Sequence, residues 1–225
     1  MRRPASPRAR TSARLACLVA VVGILSASCG GSGYQYLTDS STHTFVKIPS
    51  GWRTYDKAEL FPATPRTNPF RDVANPVDYV VAFSASASTP VTDLPNWTAS
   101  QPQGYVLVHS LQGAERDAIS YQTLRNWVFP LDQIYSNDSS RLAVFTQKDL
   151  VQTGFRGSQY VYSLRSNPDQ IREGTDSFTV NQTAYLDTGT NRLYLLVVYC
   201  NSNCYQANQK TIDGIVGSMR LKEPS

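Results

Sequence analysis

Apolar and polar residues alternate along most of this chain, in short runs separated by turn-forming residues. Two pairs of runs are clearest: "RLAVFTQKDLV" with "GSQYVYSLRS", and "SFTVNQTAYLD" with "RLYLLVVYC". The turns between them, at Thr153-Gly154 and at "TGTN", are typical of hairpins. "THTFVKIPSGWRTYD", "DYVVAFSASAS" and "GYVLVHSL" predict three earlier strands. The pattern therefore predicts a largely antiparallel sheet.

Helical spacing of apolar residues occurs in two places. From Ala114 to Val128 they recur every three or four positions until Pro130, which predicts one helix. A second set marks the apolar face of a closing helix: Ile212, Ile215, Val216 and Met219. The proline-rich stretch 56–77 lacks such spacing and predicts a long surface loop. Strands and helices in this mixed order predict an α+β fold, with an antiparallel sheet flanked by helices.

One run is apolar without interruption: "LACLVAVVGIL", Leu15 to Leu25. It follows an arginine-rich start and precedes Ser26-Ala27-Ser28, which is the pattern of an export signal covering residues 1–28. A stable membrane-spanning helix needs about 20 apolar residues, so this run is too short to be one.

The signal also explains the charge. The chain has 225 residues and a net charge of +4, but five arginines and no acidic residue precede Cys29. Of the 21 basic and 17 acidic residues, 16 basic and 17 acidic remain after removal of residues 1–28. The basic balance therefore belongs to the targeting segment, and nucleic acid is not a predicted partner.

The end of the signal resembles bacterial lipoprotein signals, in which small residues precede a cysteine that is lipidated and becomes the first mature residue. The resemblance implies acyl chains such as palmitate on Cys29, and a protein anchored on the extracytoplasmic face of the cell membrane. Residues 29–42 are then expected to form a flexible tether, and residues 43–225 one globular domain. Ser26 and Ser28 also satisfy ordinary signal peptidase, whose cleavage would release a soluble, secreted protein.

Cys200 and Cys204 are separated by "NSN". In an exported protein such a pair predicts a disulfide. The alternative is a metal or redox site, but structural zinc needs four ligands and His43 and His109 show no ligand spacing. Redox pairs usually have two intervening residues. We expect neither a metal nor another cofactor.

Candidate catalytic residues are few. "LDTGTNRL" contains the Asp-Thr-Gly-Thr string of aspartic proteases, and Asp187 would be its carboxylate. A single copy would require a dimer, and the same residues are typical of a hairpin turn, so a hydrolase using Asp187 is a remote alternative. The two histidines are expected to be exposed or to cap helices. The sequence contains neither the G-x-S-x-G motif nor the H-E-x-x-H motif. We therefore expect that the protein is not an enzyme.

Trp52, Trp97 and Trp127, with many tyrosines, could line a ligand groove or a partner surface. Core packing is the alternative role for such residues.

The opening "FVKIPSGW" and the closing "QTAYLD", "RLYLLVV" and "SMRL" resemble the Mog1/PsbP-like superfamily, particularly its actinobacterial lipoproteins. The resemblance implies an antiparallel sheet sandwiched by helices (an α-β-α sandwich) and a role in binding or assembly, without a shared catalytic centre. Together with the signal, it predicts a membrane-anchored extracytoplasmic binding or assembly module with an envelope protein as partner. A carrier of small apolar ligands or lipids is the alternative.

Overall fold

The structure, a computed structural model, describes residues 33–61, 77–94, 96–165 and 177–223. Its strands, in chain order, are β1 (Tyr34–Asp39), β2 (Thr44–Pro49), β3 (Arg53–Tyr55), β4 (Val77–Ser84), β5 (Gln103–Ser110), β6 (Leu142–Gln152), β7 (Phe155–Arg165), β8 (Ser177–Asp187), β9 (Arg192–Asn201) and β10 (Arg220–Leu221). Its α-helices are α1 (Lys57–Leu60), α2 (Gly113–Ala118), α3 (Leu131–Asn137) and α4 (Ser202–Val216). Single 3₁₀ turns occur at Val91–Asp93, Leu124–Asn126 and Ser139–Arg141.

Within the described residues, seven strands form one sheet in the order β3-β4-β5-β9-β8-β7-β6, with every neighbour antiparallel. Three others form a small sheet in the order β1-β2-β10. The predicted hairpins β6–β7 and β8–β9 are confirmed. Gly154, with φ of +77°, makes the first of the two turns, a conformation that glycine adopts without strain. The expected α+β class with an antiparallel sheet is confirmed.

Side chains that alternate along the strands divide the core between the two faces of the large sheet. On β5, Tyr105 and Leu107 point to what we call the first face, and Val106 and Val108 to the second face. The first face is covered by α1, α3 and the 3₁₀ turns, and the second by α4 and the small sheet. The sheet therefore carries helices on both sides.

The single helix predicted from Ala114 to Val128 is wrong. Helix α2 ends at Ala118, Ile119 is extended, and a turn follows. In this turn the backbone N–H of Ser120 donates to Thr123 Oγ1 (2.8 Å), and the Thr123 N–H donates to Ser120 Oγ (3.3 Å). Such local side-chain hydrogen bonds compete with helix formation. Pro130 precedes α3 rather than ending a helix.

The expected tether at residues 29–42 is too long. Tyr34–Asp39 is a strand that pairs along its whole length with β2, and Leu37 is buried beneath the small sheet. The compact body begins at Tyr34. The polar composition of this segment concealed the strand, since only one of its two faces is covered.

Several predictions fall partly or wholly outside the described residues. These are the export signal at 1–28, Cys29 and most of the surface loop at 56–77. Where the structure describes the start of that loop, it forms helix α1. The Asp56 carboxylate accepts from the Ala58 and Glu59 N–H groups and caps this helix.

Candidate functional site

A cleft of about 780 Å³ lies on the second face, between α4 and the hairpin β6–β7. Helix α4 packs mainly on β8, β9 and β2. The floor of the cleft is therefore formed by β7 and β8, one wall by α4 and the other by β6. We call this cleft the α4 groove.

The floor of the α4 groove is polar, because β7 and β8 place amide and hydroxyl side chains on their second-face positions. Gln159 Nε2 on β7 donates to Asn181 Oδ1 on β8 (3.0 Å). Asn181 Nδ2 donates in turn to the hydroxyl of Tyr205 on α4 (3.1 Å). One chain of hydrogen bonds thus joins the floor of the groove to its wall.

A cluster of hydroxyl groups attaches the first turn of α4 to the sheet. Ser163 Oγ and Thr179 Oγ1 are 2.6 Å apart, and Thr179 Oγ1 donates to Ser202 Oγ (3.0 Å). Asn201 caps the helix, because its side-chain oxygen accepts from the Cys204 N–H (2.8 Å). These contacts fix the position of one end of the groove.

Thr183 lies opposite Gln159 in the floor and is only 2% exposed. Its hydroxyl Oγ1 has no hydrogen-bond partner within the structure. A buried hydroxyl without a partner costs about 1–3 kcal/mol. Thr183 also lines the groove, so a bound molecule that reached this hydroxyl would satisfy it.

Neutral groups dominate the electrostatics of the groove. Burial raises the pKa of the Tyr205 phenol to about 12, only partly offset by the hydrogen bond from Asn181. Tyr205 is therefore uncharged at physiological pH. The charged side chains of the lining have both signs: Lys148, Asp213 and Arg220.

The lining of the groove is suited to binding by hydrogen bonds. Its lining residues include no histidine or cysteine, and Asp213 is their single carboxylate. A nucleophile with an adjacent general base would be needed for acyl transfer. No group of three or more histidine, cysteine or acidic side chains suited to a metal ion occurs in the part of the chain that the structure describes.

The three tryptophans do not form one surface. Trp52 packs against Phe83 on the second face, with ring centroids 5.9 Å apart. Trp97 and Trp127 belong to the first face, and Trp97 contacts Tyr199 at 4.3 Å. The sheet separates Trp52 from the other two, so the three half-buried tryptophans do not share one surface. None of the three lines the α4 groove.

Asp187 serves the turn between β8 and β9. Its Oδ1 accepts from the backbone N–H groups of Asn191 (2.6 Å) and Arg192 (3.2 Å). The interpretation of "DTGT" as a hairpin turn is confirmed.

His109 is fully buried, so the expectation of an exposed or capping histidine is wrong for it. The residue lies on β5, and its Nε2 is 2.8 Å from Glu115 Oε2 in α2. The ring also lies near Trp127. The largely apolar sequence of β5 indicated that His109 is buried, but its contact with Glu115 of α2 could not be predicted from the sequence.

The predicted disulfide between Cys200 and Cys204 is present, with Cα atoms 5.9 Å apart. Cys200 lies near the end of β9 and Cys204 in the first turn of α4. The bond therefore ties the first turn of α4, whose Ser202 lines the groove, to the end of β9.

Sequence reasoning missed the groove residues, although β8 carried a signal. On the second face, β8 carries the polar residues Thr179, Asn181 and Thr183. They alternate with residues of the first face, so one face of a buried strand is polar along this stretch. Such a pattern indicates a polar cleft or a hydrogen-bonded network beneath the facing element. The contribution of Tyr205 from α4 depends on helix packing and has no comparable signal.

Together these features define a class: an α+β domain with a seven-stranded antiparallel sheet, helices on both faces and a polar groove beside its last helix. Among solved structures the chain is similar to three Mog1/PsbP-like domains. For CyanoP, the cyanobacterial PsbP of Synechocystis sp. PCC 6803, the identity is 14% and the TM-score 0.42, over 87% of this chain and 98% of that one. For the Saccharomyces cerevisiae Ran-binding protein Mog1p, the identity is 8% and the TM-score 0.46, over 84% and 95%.

The third is Mycobacterium tuberculosis LpqN, described as involved in cell envelope biogenesis, with 11% identity and a TM-score of 0.46 over 84% of this chain and 91% of that one. No family model matches the chain, and no curated protein matches it in sequence. Similarities of this size carry no argument about ligand, partner or activity. Among the described residues, no helix combines the length and apolar character needed to cross a membrane.

Proposed function

We propose that this protein is a membrane-anchored, extracytoplasmic binding module without catalytic activity, and that the α4 groove is its binding site. The ligand is neutral and rich in hydroxyl or amide groups, as an oligosaccharide is. The observation that carries this proposal is the polar floor of the groove, with the unpaired and buried hydroxyl of Thr183 at its base.

The size and chemistry of the groove support a ligand of this class. A volume of about 780 Å³ lies within the usual range for small-molecule sites. An apolar chain in the groove would leave Thr183 unpaired and cover the Gln159 amide, so the lining disfavours the lipid-carrier alternative. The charged groups of the lining have both signs, which disfavours a strongly charged ligand.

A titration with matched variants tests the groove. Calorimetry of the mature protein against maltotriose, chitotriose and palmitate covers the neutral polar and the apolar ligands. We expect saturable binding of an oligosaccharide, weakened about tenfold in Thr183→Val, because one hydrogen bond to a ligand is lost. Ser158→Ala is the control: Ser158 also has a buried, unpaired hydroxyl, but it belongs to the first face.

Each outcome of the titration is informative. Equal weakening by Thr183→Val and Ser158→Ala would place the effect in the fold rather than in the groove. Binding of palmitate alone would favour the carrier alternative. If neither class of probe binds, the ligand proposal is wrong, and capture of an envelope protein by the same groove becomes the alternative to test.

The anchor is tested separately. We expect the mass of the mature N-terminus to show acyl chains on Cys29, and we expect the Cys29→Ala protein to leave the membrane fraction. Two or three acyl chains anchor a protein stably on a bilayer. An unmodified N-terminus on soluble protein would instead indicate ordinary cleavage after Ser28 and secretion.

A further inference from the structure

We infer that the outer face of the small sheet β1-β2-β10 rests on the membrane surface and binds anionic lipid headgroups. This inference rests on the proposed anchorage through Cys29. It concerns how the domain is oriented on the bilayer, which the anchor alone does not determine.

The two sides of the small sheet differ in character. Inward side chains such as Leu37, Val46 and Ile48 are buried in the core of the second face. The outward positions of β1 and β2 include aromatic, basic and small side chains: Tyr34, Tyr36, Thr38, Phe45 and Lys47. The tyrosines Tyr34 and Tyr36 are 47% and 51% exposed.

This outer face has the chemistry of a membrane interface. Lys47 Nζ lies 3.7 Å from the centroid of the Tyr34 ring, and the Tyr36 and Phe45 rings are 5.2 Å apart. Tyrosine rings with a polar tip and basic side chains with apolar stems are favoured at headgroup depth. Lys47 is its cation, and an anionic lipid surface attracts such a group. The Arg220 guanidinium instead donates to the carbonyl groups of Gly217 and Met219 and lines the α4 groove.

The length of chain before β1 also favours a lipid surface as the occupant. Four residues separate Cys29 from Tyr34, so their Cα atoms, five steps apart along the chain, lie at most about 18 Å apart. A domain of this size is about 40 Å across. With Cys29 held at the bilayer by its acyl chains, β1 stays close to the headgroups, and the exposed tyrosines and Lys47 face them.

A fluorescence experiment on the acylated mature protein tests the orientation. A tryptophan reporter is introduced by Tyr36→Trp, and the protein is placed in phosphatidylglycerol–phosphatidylcholine vesicles that contain a lipid spin-labelled near the headgroup. The control is Tyr135→Trp, because Tyr135 is 64% exposed but lies on α3, which covers the first face. After subtraction of the emission from native tryptophans, we expect at least twofold stronger quenching of the reporter at position 36.

A second measurement separates the face from the anchor. The mature chain carrying Cys29→Ala has no acyl group, and we expect it to bind phosphatidylglycerol vesicles more strongly than pure phosphatidylcholine vesicles. We expect Lys47→Glu to remove this preference. Lys210→Glu, with the same charge change at an exposed position of α4, serves as the control and is expected to retain it.

The results distinguish the two proposals. An unacylated N-terminus would contradict the anchor, while vesicle binding by the Cys29→Ala protein would still support the face. Equal quenching at positions 36 and 135 would overturn the inference. So would the absence of any preference for anionic vesicles, or equal effects of Lys47→Glu and Lys210→Glu. Photo-crosslinking from position 36 to a protein instead of lipid would also overturn it.

Discussion

Two hydroxyl groups in the large sheet, those of Thr183 on β8 and Ser158 on β7, are buried without a hydrogen-bond partner. They lie on opposite faces, so one belongs to the α4 groove and the other to the core of the first face. Both residues lower the stability of the folded state, but only Thr183 is placed where a ligand could compensate. Alternation along β7 and β8 assigns the two side chains to opposite faces, but it does not indicate which of them meets a cleft.

We predict that Thr183→Val and Ser158→Ala each raise the free energy of unfolding, by about 1 kcal/mol, because each removes a buried hydroxyl that is unpaired in the folded state. Urea denaturation of both variants measures this. A loss of more than 1 kcal/mol in either variant would mean that its hydroxyl is paired, by water or by a neighbour.

At the level of elements, local pattern determined the hairpins but not the helices on the first face. The strands β6 to β9 have both alternation and turn residues, so local and tertiary preferences agree. Between Ala114 and Val128 the helical spacing was genuine, but hydrogen bonds between Ser120 and Thr123 favour a turn. β1 was missed because its outward residues are polar or aromatic and only Leu37 among its residues is buried.

The disulfide between β9 and α4 is predicted to stabilise the fold by about 2 kcal/mol, from the entropy of closing a short loop in the unfolded chain. The double variant Cys200→Ser/Cys204→Ser is expected to lose this amount in urea denaturation and to bind groove ligands less tightly, because α4 is held less firmly. Reduction of the wild-type protein should reproduce the loss. If stability is unchanged while the bond is fully reduced, the contacts of Asn201 and Ser202 alone hold the helix.

At the scale of the whole molecule, the described body starts at Tyr34 and closes with β10, and both join β2. The small sheet thus ties the start of the domain to its end and covers part of the second face. The pairing of β10 with β2 joins segments distant in sequence and leaves no local trace. The pairing of β1 with the neighbouring β2 was missed because β1 buries only Leu37, so its polar composition resembled a tether.

A truncation series tests this boundary. We predict that a mature chain starting at residue 34 is as stable as one starting at residue 29. A chain starting at residue 43 should lose at least about 2 kcal/mol, since it lacks β1 and the buried Leu37 side chain. Thermal denaturation of the three chains measures the difference. Equal stability of all three chains would mean that residues 34–42 belong to the tether and not to the folded body.

Alkaline pH is predicted to weaken the whole fold. Burial raises the pKa of Tyr79 and Tyr205 to about 12, and it raises the pKa of Tyr105, Tyr162 and Tyr199 as well. Because an unfolded tyrosine has a pKa near 10, the neutral phenols favour the folded state fully below pH 10. This contribution is lost as the pH rises from about 10 towards 12.

Urea denaturation at pH 8, 9.5 and 11 measures this dependence, with phenolate absorbance followed in parallel. The unfolding midpoint should fall between pH 9.5 and 11, and less steeply in Tyr205→Phe. A midpoint independent of pH up to 11 would contradict the burial of these phenols.

The sequence by itself determined the α+β class, the two hairpins, the closing helix, the turn at Asp187 and the disulfide, because each depends on residues close together in the chain. It also carries the predictions of an export signal and of lipidation at Cys29. Only the tertiary structure decided which polar residues meet in the α4 groove, that the tryptophans are separated, and that β1 belongs to the body. The groove and the separation of the tryptophans depend on contacts between residues far apart in the chain. The place of β1 depends on the core that Leu37 contacts, because alternation assigns a side chain to a face without saying what covers that face.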